Sequence, residues 1–254
     1  MACERLMNCR FKRPSALYRL ICLPWAGGGS NFYAGWGKLM SENIEVVGVT
    51  LPGRESRFND KCCDDMEEIL TDITNTITSQ YVDKPFILWG HSMGSLLAFE
   101  LACRLKSQTG QEPKKMYLSG ISAPHSPMRK KVHIDRNQTD QQFVDVMSRL
   151  GGTPREVLEN EEMMKIFLPC IRADYTMLDG FTFTNSDGPP PLSCPISFFD
   201  GEDDSKHDTE AWRSLTSGQF SLTMMPGGHF YLREQNNMRA IISHISRDFA
   251  EEMA

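Results

Sequence analysis

One segment constrains this chain more than any other: PFILWGHSMG, Pro85 to Gly94, followed at once by SLLAFELACRL. A short apolar run rich in β-branched and aromatic residues reads as a buried strand, and the stretch after Gly94 reads as a helix. Between them lies G-x-S-x-G, with Ser92 at its centre. A serine on a tight strand-to-helix turn presents its hydroxyl to solvent. Side chains at Gly90 or Gly94 would collide with the backbone packed alongside. The helix that starts at Met93 points its N-terminal amides and positive dipole end toward the same place. Ser92 is therefore the candidate nucleophile, and the fold must be one that places strand ends and helix starts together.

The rest of the chain agrees with that demand. Leu17–Leu23, Glu45–Leu51, Phe86–Trp89, Met116–Ser119, Ile196–Phe199 and Phe220–Met225 are short apolar runs bounded by Gly or Pro. Helix-like stretches lie near Met66–Gln80, Met93–Lys106, Thr209–Leu215 and Asn237–Glu252. Strands alternating with helices predict an α/β fold, a mostly parallel sheet with helices on both faces, in one domain spanning residues 1–254.

One region breaks the alternation. From about residue 126 to 192 no strand is predicted, while Phe143, Met147 and Leu150 share one helical face, as do Met164, Phe167 or Leu168, Ile171, Tyr175 and Leu178. Gly151, Gly152 and Pro154 separate the two stretches, and Pro169 is expected to kink the second. This is the pattern of a helical insertion over a site, a lid; the alternative is helices that simply pad the domain. Met147, Met164, Phe167, Met177, Phe181 and Phe183 are candidates to line an apolar channel under it, or to be ordinary core.

A serine hydroxyl is a weak nucleophile and needs a base oriented by a carboxylate. Of six histidines, His229 stands apart. It follows the last predicted strand directly, in MPGGHFYL, where Gly227 and Gly228 let the loop bend back over the sheet. The acid is expected after the preceding strand, in CPISFFDGEDDSKHD. Asp204 fits the turn best, and Asp203 competes with it. The second amide of an oxyanion hole, beside that of Met93, is expected in the early loop LPWAGGGS, from Ala26 first and Trp25 next. That triple glycine lacks the spacing of a phosphate-binding loop.

Composition closes off other classes. A net charge of −6 argues against a nucleic-acid binder. Eight cysteines without metal-type spacing, no apolar leader and no run of about 20 apolar residues predict a reduced, intracellular protein without membrane insertion. No metal or redox cofactor is required by the chemistry so far.

The motifs LPWAGGGS, LPGRESR (Leu51–Arg57), PFILWGHSMGS, LGGTPREVLEN (Leu150–Asn160), LPCIRADY (Leu168–Tyr175) and MPGGHFYL, taken in order, resemble the type II thioesterases, and among them the medium-chain branch serving animal fatty acid synthases. The resemblance implies an α/β-hydrolase fold and hydrolysis of fatty acyl thioesters on the phosphopantetheine arm of acyl carrier protein, in the cytosol. It implies Ser92, the aspartate after Ile196–Phe199 and His229 as the catalytic set. Arg54 and Arg57 then become candidates to meet the carrier's phosphate or acidic face, or are two arginines on a solvated loop. An oxygen-ester hydrolase or lipase, and a non-catalytic acyl-binding protein on the same scaffold, are the competing readings.

Overall fold

The structure is a computed structural model and describes residues 5–129, 131, 133–135, 137–150, 161–183 and 188–250. Seven strands form one sheet: β1 (Met7–Asn8), β2 (Tyr18–Leu23), β3 (Ile44–Val49), β4 (Phe86–His91), β5 (Met116–Ser119), β6 (Ile196–Gly201) and β7 (Phe220–Met225). Their spatial order is β1-β3-β2-β4-β5-β6-β7, and every pairing is parallel except the antiparallel β1–β3 edge. Strands β2, β3, β4 and β6 are buried at every position, which is why they read as unbroken apolar runs rather than alternating ones. β7 lies at the edge and is mostly exposed or half-buried.

Six helices complete the described residues: α1 (Ser30–Ala34), α2 (Met66–Gln80), α3 (Met93–Thr109), α4 (Asp140–Leu150), α5 (Glu161–Gly180) and α6 (Gln235–Asp248), with short 3₁₀ turns between them. The two faces of the sheet carry separate apolar layers. One packs α2 and α3 through Ile69, Ile73, Leu97 and Leu101. The other packs α1, the 3₁₀ turn Gly35–Lys38 after it, and α6 through Tyr33, Trp36, Ile241 and Ile245 against Trp89 and Phe199. Burying each such large side chain contributes about 1.5–3 kcal/mol.

Four expectations need correction. β1 was not predicted, because two residues give no periodicity. The second predicted strand starts at Ile44 and ends at Val49 instead of spanning Glu45–Leu51. The predicted helix Thr209–Leu215 is a 3₁₀ turn, Glu210–Leu215, that seats Trp212 and Leu215 in the core. The last helix runs Gln235–Asp248, earlier than Asn237–Glu252.

Between β5 and β6 the chain leaves the sheet. α4 and α5 bury Phe143, Met147, Met164, Leu168, Ile171 and Tyr175 against one another in a cluster of their own. Pro169 lies within α5, which is helical on both sides of it. The expected break at Gly151, Gly152 and Pro154 falls outside the described residues.

Candidate active site

The carboxyl ends of β2, β4, β5, β6 and β7 meet at one rim, and the candidate residues are built on the turns that leave it. Between β4 and α3, Ser92 adopts φ 54° and ψ −121°, left-handed for a residue with a side chain. Such a conformation costs about 1–3 kcal/mol and persists only where the surroundings enforce it. Here they do. A Cβ on Gly90 would lie 2.1 Å from the Gly94 carbonyl oxygen, and one on Gly94 would lie 2.2 Å from that of Leu23. The Ser95 hydroxyl lies between the carbonyls of Gly90 (2.9 Å) and Ser119 (2.8 Å), which share its one proton, and the Ser92 amide donates to Ser119 O at 2.7 Å. The Ser92 side chain makes no capping hydrogen bond to α3, so its hydroxyl is left to the cavity it lines.

His229 sits on the loop after β7, with Gly227 at φ 106° turning the chain back. Its Nδ1 is 2.7 Å from Asp204 Oδ2, on the loop after β6. Both side chains are largely covered, 15% and 7% exposed. Burial pushes the Asp204 carboxyl up, but the hydrogen bond and charge of His229, helped by His207, hold it below its ordinary value. The two loops are also tied by backbone: the Asp203 amide donates to Gly227 O at 3.0 Å. That bond fixes Asp203 by its main chain while its side chain is exposed, so Asp204 is the acid that reaches the imidazole.

Ser92, Asp204 and His229 line a single cavity of about 120 Å³, together with Trp25 and Ala26. Its apolar wall comes from Ile121, Met128, Tyr175 and Leu178, the last two from α5. None of the six side chains expected to form an apolar channel lines it. Met147 and Met164 are buried inside the α4–α5 cluster, and Met177 and Phe181 belong to the main core. Helical periodicity identifies a buried face without telling what covers it. Among the described residues, neither the Ala26 nor the Met93 amide donates to a protein acceptor.

Arg54 and Arg57 are not free to meet a partner. Arg54 is 5% exposed and makes a two-armed ion pair with Asp174 of α5, at 2.8 and 2.9 Å. Arg57 pairs with Asp60 at 2.9 Å and with Asp72 at 3.5 Å. The expectation of a solvated arginine loop fails because both guanidinium groups find carboxylates, Arg54 on the distant α5 and Arg57 on the nearby Asp60 and on Asp72 of α2.

Two further histidines flank the site. His91 is fully buried, its Nδ1 2.9 Å from Ser119 Oγ, and its ring packs 4.8 Å from that of His229. Burial drives its pKa well below the ordinary 6.5, and the nearby His229 and His207 push the same way. His207, on the acidic loop after β6, lines the cavity and meets the buried Asp200 at 3.0 Å. The signal for it was present only as proximity to the Asp204 turn. Asp204, His207 and His229 bring three donor atoms within 4.8 Å of one another, a spacing a cation could bridge. Each imidazole already directs its Nδ1 at a carboxylate.

A parallel sheet with helices on both faces, a strained serine between its central strand and the next helix, and a histidine loop after the last strand define the α/β-hydrolase fold. The chain belongs to the thioesterase domain family, whose model matches residues 18–249. It is 36% identical over 244 residues to the medium-chain S-acyl fatty acid synthase thioesterase of Rattus norvegicus, covering 96% of this chain and 92% of the relative. The same enzyme of Anas platyrhynchos is 38% identical over 237 residues, covering 93% and 94%. Among solved structures, the thioesterase RedJ from the prodiginine biosynthetic pathway of Streptomyces coelicolor superposes with a TM-score of 0.82 at 29% identity, covering 94% of this chain and 88% of that one. Among the described residues no helix is long and apolar enough to cross a membrane.

Proposed function

We propose that this thioesterase releases fatty acids from the acyl carrier protein of a fatty acid synthase in the cytosol, through an acyl-enzyme on Ser92. The observation that carries the reading is the strained Ser92 and the Asp204–His229 hydrogen bond on one cavity wall. The names of the animal relatives support the fatty acid synthase as the donor system.

The thioester carbonyl enters with its oxygen toward the Met93 and Ala26 amides. His229 takes the Ser92 proton as the hydroxyl oxygen attacks the carbonyl carbon. Asp204 holds the imidazole tautomer and balances its positive charge. Amides aimed at the developing oxyanion stabilise it by about 2.7–4 kcal/mol each. The carbon–sulfur bond breaks, and the phosphopantetheine thiolate leaves with the proton from His229. Water then gives its proton to His229, attacks the acyl-serine and returns Ser92 as the fatty acid departs. The insertion between β5 and β6 acts as the lid, with Tyr175 and Leu178 against the acyl chain. Arg129 and Lys206, which also line the cavity, supply the positive charge that Arg54 and Arg57 do not.

The reading is tested with acyl carrier protein and coenzyme A thioesters of graded chain length, beside matched oxygen esters and the Ser92→Ala variant. Hydrolysis of carrier-bound thioesters that Ser92→Ala abolishes is the expected result. Preference for oxygen esters, or equal slow rates for both proteins, refutes it.

A further inference from the structure

Two charged residues that the mechanism leaves unused are among the best buried in the molecule: Arg54 at 5% exposure and Asp174 at 0%. Taking such a pair out of water costs several kcal/mol per ion, and apolar side chains of similar volume often serve stability as well. Its geometry is therefore informative. Arg54 Nη1 donates to Asp174 Oδ2 and Nη2 to Oδ1, and Nη1 also donates to the Gly28 carbonyl at 2.9 Å. Asp174 Oδ2 accepts the Gly27 amide at 2.7 Å. The two ions thus end on the peptide joining Ala26 to Gly27 and on the carbonyl of Gly28.

The rest of that loop is held from its other end. Glu55, next to Arg54, accepts the amides of Ser30 at 2.9 Å and Asn31 at 3.0 Å, and the Ser30 hydroxyl as well. Gly27 itself has φ 75°, and a Cβ there would lie 2.6 Å from Ile171 of α5. Besides Arg54 and Glu55, α5 supports the loop through Ile171 and Asp174, while Asn8 and Thr50 donate to the Ser30 hydroxyl and the Gly28 amide donates to the Trp25 carbonyl at 2.8 Å. The side chains of Tyr175 and Leu178 on the same helix line the cavity.

We propose that Arg54 and Asp174 are positioning residues for the oxyanion hole: their ion pair sets the direction of the Ala26 amide by fixing the peptide that follows it, and completes the hole only while α5 is docked. The inference rests on the reading of Ala26 as an oxyanion donor and deepens it. It assigns a role to both LPGRESR and LPCIRADY. It also makes the docked half of α5 part of the catalytic frame.

The test is the double variant Arg54→Met/Asp174→Leu, which removes both charges and leaves neither unpaired, with Asp174→Asn, which keeps the side chain's shape and one acceptor oxygen, as the second variant. Steady-state kinetics on a soluble acyl thioester are read beside the affinity for a trifluoromethyl ketone, whose tetrahedral adduct with Ser92 places an oxyanion in the hole. A displaced donor lowers kcat by about 10- to 100-fold. KM should change less than threefold, and ketone affinity should fall by the same factor as kcat. Asp174→Asn should lose about tenfold by the same pattern, which decides the matter if the double variant does not fold. A folded variant with kcat within threefold of wild type overturns the proposal, as does a loss carried by KM with ketone affinity kept. Ser92→Ala separates the two levels: full activity there refutes the nucleophile reading, whereas an inactive Ser92→Ala beside fully active pair variants refutes only the positioning role.

Discussion

Replacing Asp204 with asparagine removes one charge and almost no volume, and its consequence follows from the site. The carboxylate lies 2.7 Å from His229 Nδ1, with 7% of its side chain exposed. As Ser92 loses its proton the imidazole becomes cationic, and two unit charges about 4 Å apart at an effective dielectric near 20 attract by about 4 kcal/mol. At about 1.4 kcal/mol per tenfold, that is about 10³ in rate. An asparagine amide facing Nδ1 also selects the wrong tautomer, extending the expected loss in kcat to about 10³–10⁴-fold. The assay is saturating acyl-thioester turnover followed by thiol release, with Asp203→Asn as the matched control, since that side chain is exposed and the residue is held by its amide. The control should stay within about twofold of wild type. An Asp204→Asn enzyme retaining a tenth of its activity, or a large loss in Asp203→Asn, refutes the assignment of the acid.

Other consequences are as direct. Gly94→Ala puts a Cβ 2.2 Å from the Leu23 carbonyl, so it should cost about 1–3 kcal/mol in urea unfolding and most of the activity; wild-type turnover would contradict the account of the turn. His91 is held neutral, its folded pKa lying below the unfolded 6.5. The unfolded chain therefore binds the extra proton, and stability falls as pH drops below 6.5 by up to about 1.4 kcal/mol per unit. His91→Phe should flatten that slope between pH 6.5 and 5, and an unchanged slope would locate the titration elsewhere. Phe143→Ala empties the centre of the α4–α5 cluster, where the ring is fully buried, and should cost about 3–5 kcal/mol in unfolding experiments; a cost below 1 kcal/mol would mean the insertion is not packed as described.

Much of this was legible because it is local. The central strands are buried on both faces, so they write themselves as apolar runs, and the turn around Ser92 needs glycine at 90 against its own helix start and at 94 against the end of the neighbouring strand β2, a spacing the G-x-S-x-G motif records locally. The preference for Asp204 over Asp203 also came from turn spacing. What the pattern could not carry is long-range pairing. Arg54 and Asp174 lie 120 positions apart, and nothing near either predicts that the other removes it from water. The same limit applies to the insertion. Periodicity marks Met147 and Met164 as buried, and Met177 and Phe181 were added as channel candidates by residue type, but whether a buried side chain meets the cavity, the sheet or a neighbouring helix depends on where the helix is set down. Tyr175 and Leu178, only one turn from residues that do not reach the cavity, line it. Single-turn strands such as Met7–Asn8 are set by the neighbour they pair with and leave no periodic trace.

The proposed chemistry needs a hydroxyl at 92 activated by the imidazole at 229. Rapid quenching during turnover of an acyl thioester, followed by peptide mass analysis, measures it directly. An acyl group on the peptide containing Ser92, absent in Ser92→Ala and strongly reduced in His229→Ala, is the predicted result. Turnover at a normal rate with no acyl group on that peptide, or with its acylation unchanged in His229→Ala, would contradict it.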